Sequence, residues 1–242
     1  MRVAVISDVH GNLHALESVL TEVDAAAPDE VWCLGDTVGY GPRPNECCEL
    51  VRERARRCLV GNHDLVALGQ LDVREFNDEA AAAAQWTGRV LTQEARAFLE
   101  ALEPLDSADG VELFHGSPRE PVWDYVLTHE AAEATFELTT APLVLVGHSH
   151  VALAVANGSS RLTGGAAPAG RTVDLDSGRW LLNPGSVGQP RDGDRRAAWL
   201  LLDLDAGSAE FRRVEYPIAE TQRELREAGL PELLALRLQH GQ

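Results

Sequence analysis

The sequence predicts an α/β protein in which two sheets are covered by helices on the outside. Short apolar runs at residues 3–6, 31–34 and 58–60 alternate with segments of helical periodicity, which is typical of βαβ units and a parallel sheet. From Val151 onward the pattern changes to short strand-like runs separated by glycine-containing turns. This change predicts a second, mostly antiparallel sheet in the C-terminal half. No linker separates the halves, so we expect one domain over residues 1–242.

The predicted elements follow in the order that this fold class requires. Asn12 caps the first helix, whose apolar residues recur at helical spacing. Further helices are expected at residues 44–57, 78–90, 92–102 and 129–137, and strands at residues 111–114 and 142–146. Asn157-Gly158 indicates a hairpin, and strands are expected at residues 171–176, 179–183, 197–205 and 209–217. A final helix begins at Ile218 and is interrupted at Pro231.

The composition argues against several classes of function. A formal net charge of −17 opposes broad capture of nucleic acid or of an anionic membrane, so we expect neither a nucleic-acid duplex nor a membrane as partner. The four cysteines show no CxxC spacing, which fits a reduced compartment. The N-terminal MRVAVIS lacks the long apolar core of a signal peptide. These observations predict a cytoplasmic protein.

Side chains that can bind metal follow five of the strand-like runs. They are Asp8 and His10, Asp36, Asn62 and His63, His115, and His148 and His150. Because ligands gather outside the carboxyl ends of strands in open α/β sheets, we expect these five ends to converge on one site. His148 and His150 are two residues apart at the end of an extended run, so both imidazoles can point at one ion.

Each of these residues taken alone has an ordinary structural interpretation. Asp8 and Asp36 could be turn residues, Asp64 could cap a helix, and the segment from His148 to His150 could be a polar loop. Independent loops, however, have no reason to place aspartate, histidine and asparagine after every strand. The complete set therefore favours a metal site, and its imidazole and carboxylate groups suit Mn, Fe, Ni, Co or Zn.

Five sequence blocks resemble, in order, those of the calcineurin-like metallophosphoesterases. The blocks are DVH at residues 8–10, GD at 35–36, GNHD at 61–64, HG at 115–116 and GHSH at 147–150. NPGS at residues 183–186 is similar to a segment of the small bacterial and archaeal phosphodiesterase-like branch. The resemblance implies an αββα sandwich of two mixed sheets flanked by helices, with a dinuclear metal centre at the strand ends. It assigns Asp8, His10 and His150 to one metal, Asn62, His115 and His148 to the other, and Asp36 to both.

The resemblance also implies the chemistry. Two divalent ions are expected, with Mn the leading candidate and Fe, Ni, Co, Zn or Mg as alternatives. A hydroxide bridging the two ions would attack phosphorus in line with the leaving oxygen. His63 is the candidate general acid for that oxygen, with Asp64 orienting it, although His63 could instead be a further metal ligand.

Three residues are candidate substrate contacts, namely Tyr40, Arg191 and Asn12. Tyr40 stands where the family's serine/threonine protein phosphatases resemble GDxVDRG with an arginine, so it could stack on an aromatic group or simply pack. Arg191 could reach a substrate phosphate or lie in a surface turn together with Asn183. Arg43 could replace the arginine that is missing at position 40.

The predicted function is metal-dependent hydrolysis of a small phosphoester or nucleotide, as a phosphodiesterase or phosphatase. Diadenosine polyphosphates are one candidate substrate. A serine/threonine protein phosphatase is an alternative that Tyr40 disfavours, and a non-catalytic binding scaffold is another. The sequence leaves the natural substrate, the metal and the oligomeric state open, and the leucines of the last helix could pack on this chain or on a second copy.

Overall fold

Helices and strands alternate in the first half of the chain, and strands dominate the second half. The structure, a computed structural model, describes residues 1–158 and 161–242. The strands are β1 (Arg2–Ile6), β2 (Glu30–Cys33), β3 (Arg57–Cys58), β4 (Leu105–Ala108), β5 (Val111–Phe114), β6 (Leu143–Val146), β7 (Leu153–Asn157), β8 (Leu162–Ala166), β9 (Thr172–Asp174), β10 (Arg179–Asn183), β11 (Ala197–Asp203) and β12 (Ser208–Val214). The α-helices are α1 (Leu13–Ala26), α2 (Pro44–Arg54), α3 (Asn62–Ala67), α4 (Asp78–Val90), α5 (Gln93–Glu100), α6 (His129–Leu138), α7 (Ile218–Glu227) and α8 (Glu232–Arg237).

The strands form two six-stranded mixed sheets. The first sheet has the order β3-β2-β1-β11-β12-β9, and the second has the order β4-β5-β6-β10-β7-β8. The prediction of a separate antiparallel sheet in the C-terminal half was therefore wrong. β11 pairs antiparallel with β1 and β10 pairs parallel with β6, so each sheet contains strands from both halves of the chain. The reason lies in β11, whose residues 197–202 are all buried and which therefore belongs in the middle of a sheet.

Two sets of apolar side chains place each sheet between two layers. Along β1, Val3 and Val5 face the second sheet and pack with Leu145, whereas Ala4 and Ile6 face the opposite way and pack against α1. This alternation follows from the period of two along a strand. α6 covers the outer face of the second sheet. The layers run helix, sheet, sheet, helix, and the predicted αββα sandwich is confirmed.

Most predicted elements are present, with differences at their ends. α4 and β10 have the predicted bounds, and α2 ends three residues earlier than expected, at Arg54. The short helix α3 and the strand β4 were not predicted. β7 and β8 pair antiparallel on either side of the hairpin expected near Asn157-Gly158, and residues 159 and 160 lie outside the described residues.

The C-terminal segment forms two helices, α7 and α8, which separate at Pro231 as predicted. Leu225, Leu234 and Leu238 are buried against Tyr40 and against alanines of α4. These leucines therefore pack on their own chain rather than on a second copy. Among the described residues, no helix is both long enough and apolar enough to cross a membrane.

Candidate metal centre

The site lies where strands from both sheets end at one edge of the sandwich. β1, β2 and β3 run parallel in the first sheet, and β5, β6 and β10 run parallel in the second. Backbone hydrogen bonds join the loops that leave these strands. The amide of His10 donates to the carbonyl of Asp36 over 2.9 Å, and the amide of Gly147 donates to the carbonyl of His115 over 2.9 Å. The loops thus support one another before any side chain is considered.

Five of the predicted metal ligands have left-handed backbone conformations. The φ angles of Asp8, His10, Asp36, His148 and His150 lie between 51° and 61°. Each non-glycine residue in this region costs about 1–3 kcal/mol, so the surrounding structure must hold it there. Strain of this kind is concentrated at functional sites, and here it occurs at the strand ends where the side chains converge.

One group of possible metal ligands consists of Asp8, His10, Asp36 and His150. The Nε2 atoms of His10 and His150 are 2.9 Å apart. Nε2 of His150 lies 3.4 Å from Oδ1 of Asp8, and Nε2 of His10 lies 3.6 Å from Oδ2 of Asp36. All four side chains are buried. Their ligand atoms therefore face a common point that a single ion could occupy.

A second group consists of Asp36, His115 and His148. Nε2 of His115 lies 3.4 Å from Oδ2 of Asp36 and 3.2 Å from Oδ1 of Asn62. The carboxylate of Asp36 therefore belongs to both groups, with its Oδ2 between His10 and His115. The seven side chains that the sequence predicts as ligands lie together at this place.

Backbone carbonyls determine which ring nitrogens face the centre. Nδ1 of His10, His115 and His150 lies 3.1, 2.8 and 2.6 Å from the carbonyl oxygens of Val38, Leu34 and Gln189, respectively. A carbonyl can only accept, so each Nδ1 carries a proton and, in a neutral imidazole, leaves a lone pair on Nε2. Two such lone pairs 2.9 Å apart repel each other unless a proton or a cation lies between them. This arrangement fits a metal ion.

Several buried polar atoms of the centre have no hydrogen-bond partner among the described residues. They are both carboxylate oxygens of Asp8, Oδ2 of Asp36 and Nε2 of His148. A buried polar atom without a partner is costly, and most such atoms in proteins are paired. Divalent cations bound by the two groups would give these atoms partners, and nitrogen with carboxylate oxygen is a ligand set that suits first-row transition metals. The residues present therefore fit the metals that the sequence predicts.

Burial determines the charge of most of these groups. It lowers the pKa of His10 and of His148 to about 3 and raises the pKa of Asp8 to about 7, because the interior disfavours charge. Burial also opposes a charged His115, but the Asp36 carboxylate outweighs it and raises the pKa of His115 to about 9. Burial opposes a charged Asp36 as well, yet the charge of His115 holds the pKa of Asp36 below its usual range. A cation beside Asp36 would replace the proton of His115, since metal-bound imidazole is neutral.

His63 lies beside these groups and is a member of neither. Its ring centroid is 4.8 Å from that of His10 and 4.3 Å from that of Phe76. Burial holds the pKa of His63 well below its ordinary value. Its backbone amide donates to Oδ1 of Asp36 over 2.9 Å, which fixes the ring next to the centre.

The predicted role of Asp64 needs a correction. Its Oδ1 accepts from the amide of Val38 over 2.9 Å, and its Oδ2 accepts from the amide of Gly61 over 3.0 Å. Both oxygens thus serve backbone amides, and no hydrogen bond joins Asp64 to His63 among the described residues. Asp64 acts through the backbone, where it ties the loop after β2 to the loop after β3.

The predicted substrate contacts differ in their surroundings. Asn12 is buried, and its amide group donates to the carbonyl of Gly188 and accepts from Ala15 and Thr221. These bonds favour a structural role for Asn12 over the predicted contact with substrate. Arg43 is paired with Glu224 over 2.9 Å and cannot replace the arginine missing at position 40.

Arg191 and Tyr40, by contrast, lie at the metal centre. Nη2 of Arg191 donates to the hydroxyl of Tyr40 over 3.1 Å, and the Tyr40 ring lies 4.8 Å from that of His10. The charge of Arg191 also helps to lower the pKa of His10 and of His150, although burial contributes more. Tyr40 is buried, so it packs rather than presents an open face. Arg191 remains a cation within reach of the site.

Asn183 and Ser186 support the centre from the NPGS segment. The side-chain amide of Asn183 donates to the carbonyl of Gly147 over 2.6 Å and to Oγ of Ser149 over 3.0 Å. The hydroxyl of Ser186 donates to the carbonyl of Asp8 over 2.8 Å. The segment is therefore buried and stabilises the loops after β1 and β6, so it is not a surface turn.

Four residues near the centre were missed by the sequence reasoning. Phe76, Trp123 and Tyr125 form an aromatic rim, and Arg237 lies against Tyr40. The aromatic residues in PVWDY, which is separated from the HG block by four residues, are the one signal that could have drawn attention to this rim. Arg237 carries no such signal, because it lies far along the chain from every motif.

A helix-flanked double sheet with a buried cluster of histidine and aspartate at its strand ends defines a metal-dependent phosphoesterase. Residues 1–207 match the family described as the calcineurin-like phosphoesterase superfamily domain. The chain belongs to this superfamily of divalent-metal-dependent enzymes, which hydrolyse phosphate esters.

Two relatives match over nearly their whole lengths. The crystal structure of a metallophosphoesterase from Sphaerobacter thermophilus is 46% identical, with a TM-score of 0.92, and the match covers 100% of this chain and 99% of that one. An uncharacterized protein from Methanocaldococcus jannaschii is 36% identical over 98% of this chain and 96% of its own length.

A third match is partial. A symmetrical bis(5′-nucleosyl)-tetraphosphatase from Actinobacillus pleuropneumoniae is 35% identical over 29% of this chain and 27% of its own length.

A substitution at Gly61 tests how closely the backbone surrounds Asp36. A Cβ at this position would lie 2.0 Å from Oδ1 of Asp36 and 2.7 Å from its backbone nitrogen. We expect Gly61→Ala to displace the carboxylate and to lower the affinity for Mn²⁺ at least roughly tenfold, measured by calorimetry on metal-depleted protein.

Gly69→Ala is the matched control. A Cβ there meets no atom within 4 Å, although its φ of +77° adds strain of about 1–2 kcal/mol. The control should therefore lose some stability and keep its metal affinity. Equal metal affinity in the two variants would contradict the role given to Gly61.

Proposed function

We propose that this protein is a dinuclear metal-dependent phosphoesterase acting on small phosphoesters, and on nucleotides in particular. The observation that carries the proposal is the position of Asp36. Its carboxylate belongs to both groups of possible ligands, so two ions bound by them would share one carboxylate. Shared carboxylates are a common way to hold two metals at the separation that phosphoryl transfer requires.

The first ion would be held by Asp8, His10 and His150, and the second by Asn62, His115 and His148, with Asp36 common to both. Two divalent ions bound here would activate water and stabilise the charge that develops on the phosphoryl oxygens. We propose manganese as the leading candidate, with Fe, Ni, Co, Zn or Mg as alternatives, since the nitrogen and carboxylate ligands accept several such metals and include no thiolate.

The chain's own residues orient the substrate and handle the proton. Arg191 supplies a guanidinium beside the centre that can hold a phosphate oxygen with paired donors. His63 would protonate the leaving oxygen. Because burial keeps the pKa of His63 low, the ring is neutral by itself, and an anionic group such as a phosphate next to it would favour the protonated form that can donate. Substrate binding would thus prepare the acid that the reaction needs.

The aromatic rim favours nucleotides among small phosphoesters. Tyr125 stacks on His148 with ring centroids 4.0 Å apart, and Trp123 meets Phe76 at 5.7 Å. Tyr125 is 47% exposed, so its outer face is open to a ligand. An aromatic face beside a phosphate-binding centre is suited to a nucleobase.

The loop that carries Trp123 and Tyr125 of this rim is held in place by polar contacts. The hydroxyl of Ser117 donates to Asp124 over 2.6 Å, and Arg119 donates to both oxygens of the same carboxylate. A rim that is rigid before binding loses little entropy when a base stacks on it. The partial similarity to a bis(5′-nucleosyl)-tetraphosphatase also supports a dinucleoside polyphosphate as one candidate substrate.

Two broader predictions accompany this function. We propose that residues 1–242 form a single domain and that the protein acts in the cytoplasm.

The two alternative functions have less support. A protein phosphatase is disfavoured because Tyr40 and the ion-paired Arg43 leave no arginine where that branch has one. A non-catalytic scaffold is disfavoured because the complete set of ligands and His63 lie together.

Asp36→Asn tests the shared carboxylate. The variant keeps the shape of the side chain and removes the negative charge between the two groups of ligands. We expect turnover of bis-p-nitrophenyl phosphate and p-nitrophenyl phosphate, measured with Mn²⁺, to fall roughly 100-fold or more. Asp205→Asn, at an exposed position, should retain full activity. Undiminished turnover in Asp36→Asn, or none in the wild type with any divalent metal, would refute the proposed function.

His63→Gln tests the general acid. An acid matters most when the leaving group is a poor one, so the variant should lose about 10²–10⁴-fold in kcat on an alkyl phosphoester. Its loss on a p-nitrophenyl ester should be much smaller, because nitrophenolate departs without protonation. His129→Gln, on α6 and exposed, is the control. Equal losses on both substrates would argue for a structural or ligand role of His63.

Trp123→Leu tests the aromatic rim. Stacking of a base on an aromatic side chain contributes about 1–3 kcal/mol, so the variant should raise KM for an adenine nucleotide roughly tenfold. KM for glycerol phosphate, which has no ring, should stay within about twofold. Leu127→Ala, exposed on the same segment, should affect neither substrate. A parallel change in both KM values would show that Trp123 only supports the loop.

A further inference from the structure

Arg191 is held at the centre by neutral partners. Its Nη2 donates to the hydroxyl of Tyr40 over 3.1 Å and to Oε1 of Gln189 over 3.0 Å. Its guanidinium carbon lies 5.7 Å from the centroid of the Tyr40 ring. In the part of the chain that the structure describes, no carboxylate oxygen lies within 4.0 Å of its guanidinium nitrogens. Its positive charge therefore has no acidic side chain as a direct partner.

A second arginine, Arg237, lies against the same tyrosine. It is the last residue of α8, and its guanidinium carbon is 5.9 Å from the centroid of the Tyr40 ring. Its Nε donates to the backbone oxygen of Gln242 over 2.6 Å. Glu79 of α4 attracts it, but within residues 1–158 and 161–242 no side-chain carboxylate of Asp or Glu lies within 4.0 Å of its guanidinium nitrogens.

The lack of Asp and Glu partners for Arg191 and Arg237 among the described residues is informative in an acidic chain. The sequence has 38 acidic residues and 21 basic ones, all of them arginine. Two other partly buried arginines do have such partners: Arg43 pairs with Glu224 at 2.9 Å, and Arg57 pairs with Asp106 at 2.6 Å. Burial and the charge of Arg191 both lower the pKa of Arg237, so the two guanidinium groups repel each other, and an anion close to both would relieve that repulsion.

The position of Arg237 is fixed by packing. Leu234 and Leu238 of the C-terminal segment are buried in the same cluster as Tyr40. The side-chain amide of Gln222 on α7 donates to the carbonyl of Ala235 over 2.7 Å. Arg237 therefore projects from an anchored helix. It also lies beyond residues 1–207, the part of the chain that matches the family model.

Tyr40 links this arginine pair to the reaction centre. Its ring lies 4.8 Å from that of His10 and 4.3 Å from that of His63. The Tyr40 ring thus contacts both guanidinium groups and also the histidines beside which the reacting phosphoryl group would be held. A phosphate chain has neighbouring phosphorus atoms separated by a single oxygen, so a second phosphate could extend from the metals toward the pair.

We propose that Arg191 and Arg237 form an anion subsite for a second phosphate of the substrate, so that esters of di- or polyphosphates bind better than esters of a single phosphate. The proposal rests on the proposed function, since it assumes that the metals hold the reacting phosphoryl group. It assigns Arg237 as a substrate-binding residue that determines specificity.

The test compares an anion that has one phosphorus group with an anion that has two. Binding of inorganic phosphate and of methylenediphosphonate, which resists hydrolysis, is measured by calorimetry on Mn²⁺-saturated protein. We expect Arg237→Gln to weaken the diphosphonate roughly tenfold, the effect of losing one charge-assisted hydrogen bond. Binding of phosphate should change less than about twofold. Arg237→Lys, which keeps the charge without the paired donors, should fall between the wild type and Arg237→Gln.

Arg226→Gln is the matched control. Arg226 lies on α7, is exposed and pairs with Glu232 over 2.6 Å, so its loss should leave both anions unaffected. Equal weakening of both anions by Arg237→Gln, or no change in either, would overturn the subsite. Thermal unfolding of each variant shows whether a loss of binding reflects a loss of folding.

The outcome is separable from that of the proposed function. Turnover of bis-p-nitrophenyl phosphate by the wild type tests the hydrolase, and calorimetry tests the subsite without any turnover. A hydrolase with no preference for the diphosphonate would overturn only the subsite. A protein that prefers the diphosphonate and hydrolyses nothing would retain the arginine pair and refute the proposed function.

Discussion

The carboxylate of Asp36 is the group on which the rest of the site depends. Its Oδ1 accepts the amide of His63, and its Oδ2 faces His10 on one side and His115 on the other. A buried carboxylate is stable only with positive or proton-donating neighbours, so its presence demands the histidines around it. The absence of a Cβ at Gly61, 2.0 Å from Oδ1, is equally necessary, because any side chain there would occupy the same space.

The metal site forms only when the two sheets pack together, because both sheets supply ligands. The loops after β1, β2 and β3 supply Asp8, His10, Asp36 and Asn62, and the loops after β5 and β6 supply His115, His148 and His150. Neither sheet supplies a complete group of ligands. The first group needs His150 from the second sheet, and the second group needs Asp36 from the first sheet. The apolar contacts between Val3, Val5 and Leu145 therefore hold the two sets of ligands at the right separation. In turn, a bound cation would stabilise the sandwich, since ligands that repel one another would be joined.

The surroundings of the centre are divided by chemistry. The aromatic rim of Phe76, Trp123 and Tyr125 lies next to His63 and His148. The arginine pair, Arg191 and Arg237, lies against Tyr40. Such a division suits a substrate with a flat base and more than one phosphate. It also resolves an apparent conflict, because a protein with a net charge of −17 can attract a polyanion only through a strong local field.

The sequence by itself determined the fold class and the convergence of the candidate ligands. Both follow from short-range rules, since a strand that ends in Asp or His places that residue at the sheet edge wherever the strand lies. The tertiary structure decided what depends on contacts between distant segments. β11 joins β1 because its buried residues need a central position, Asp64 binds the amides of Val38 and Gly61 rather than His63, and Arg237 reaches Tyr40 through the packing of α8. No local pattern encodes such partners, because each one exists only once the chain has brought two remote surfaces together.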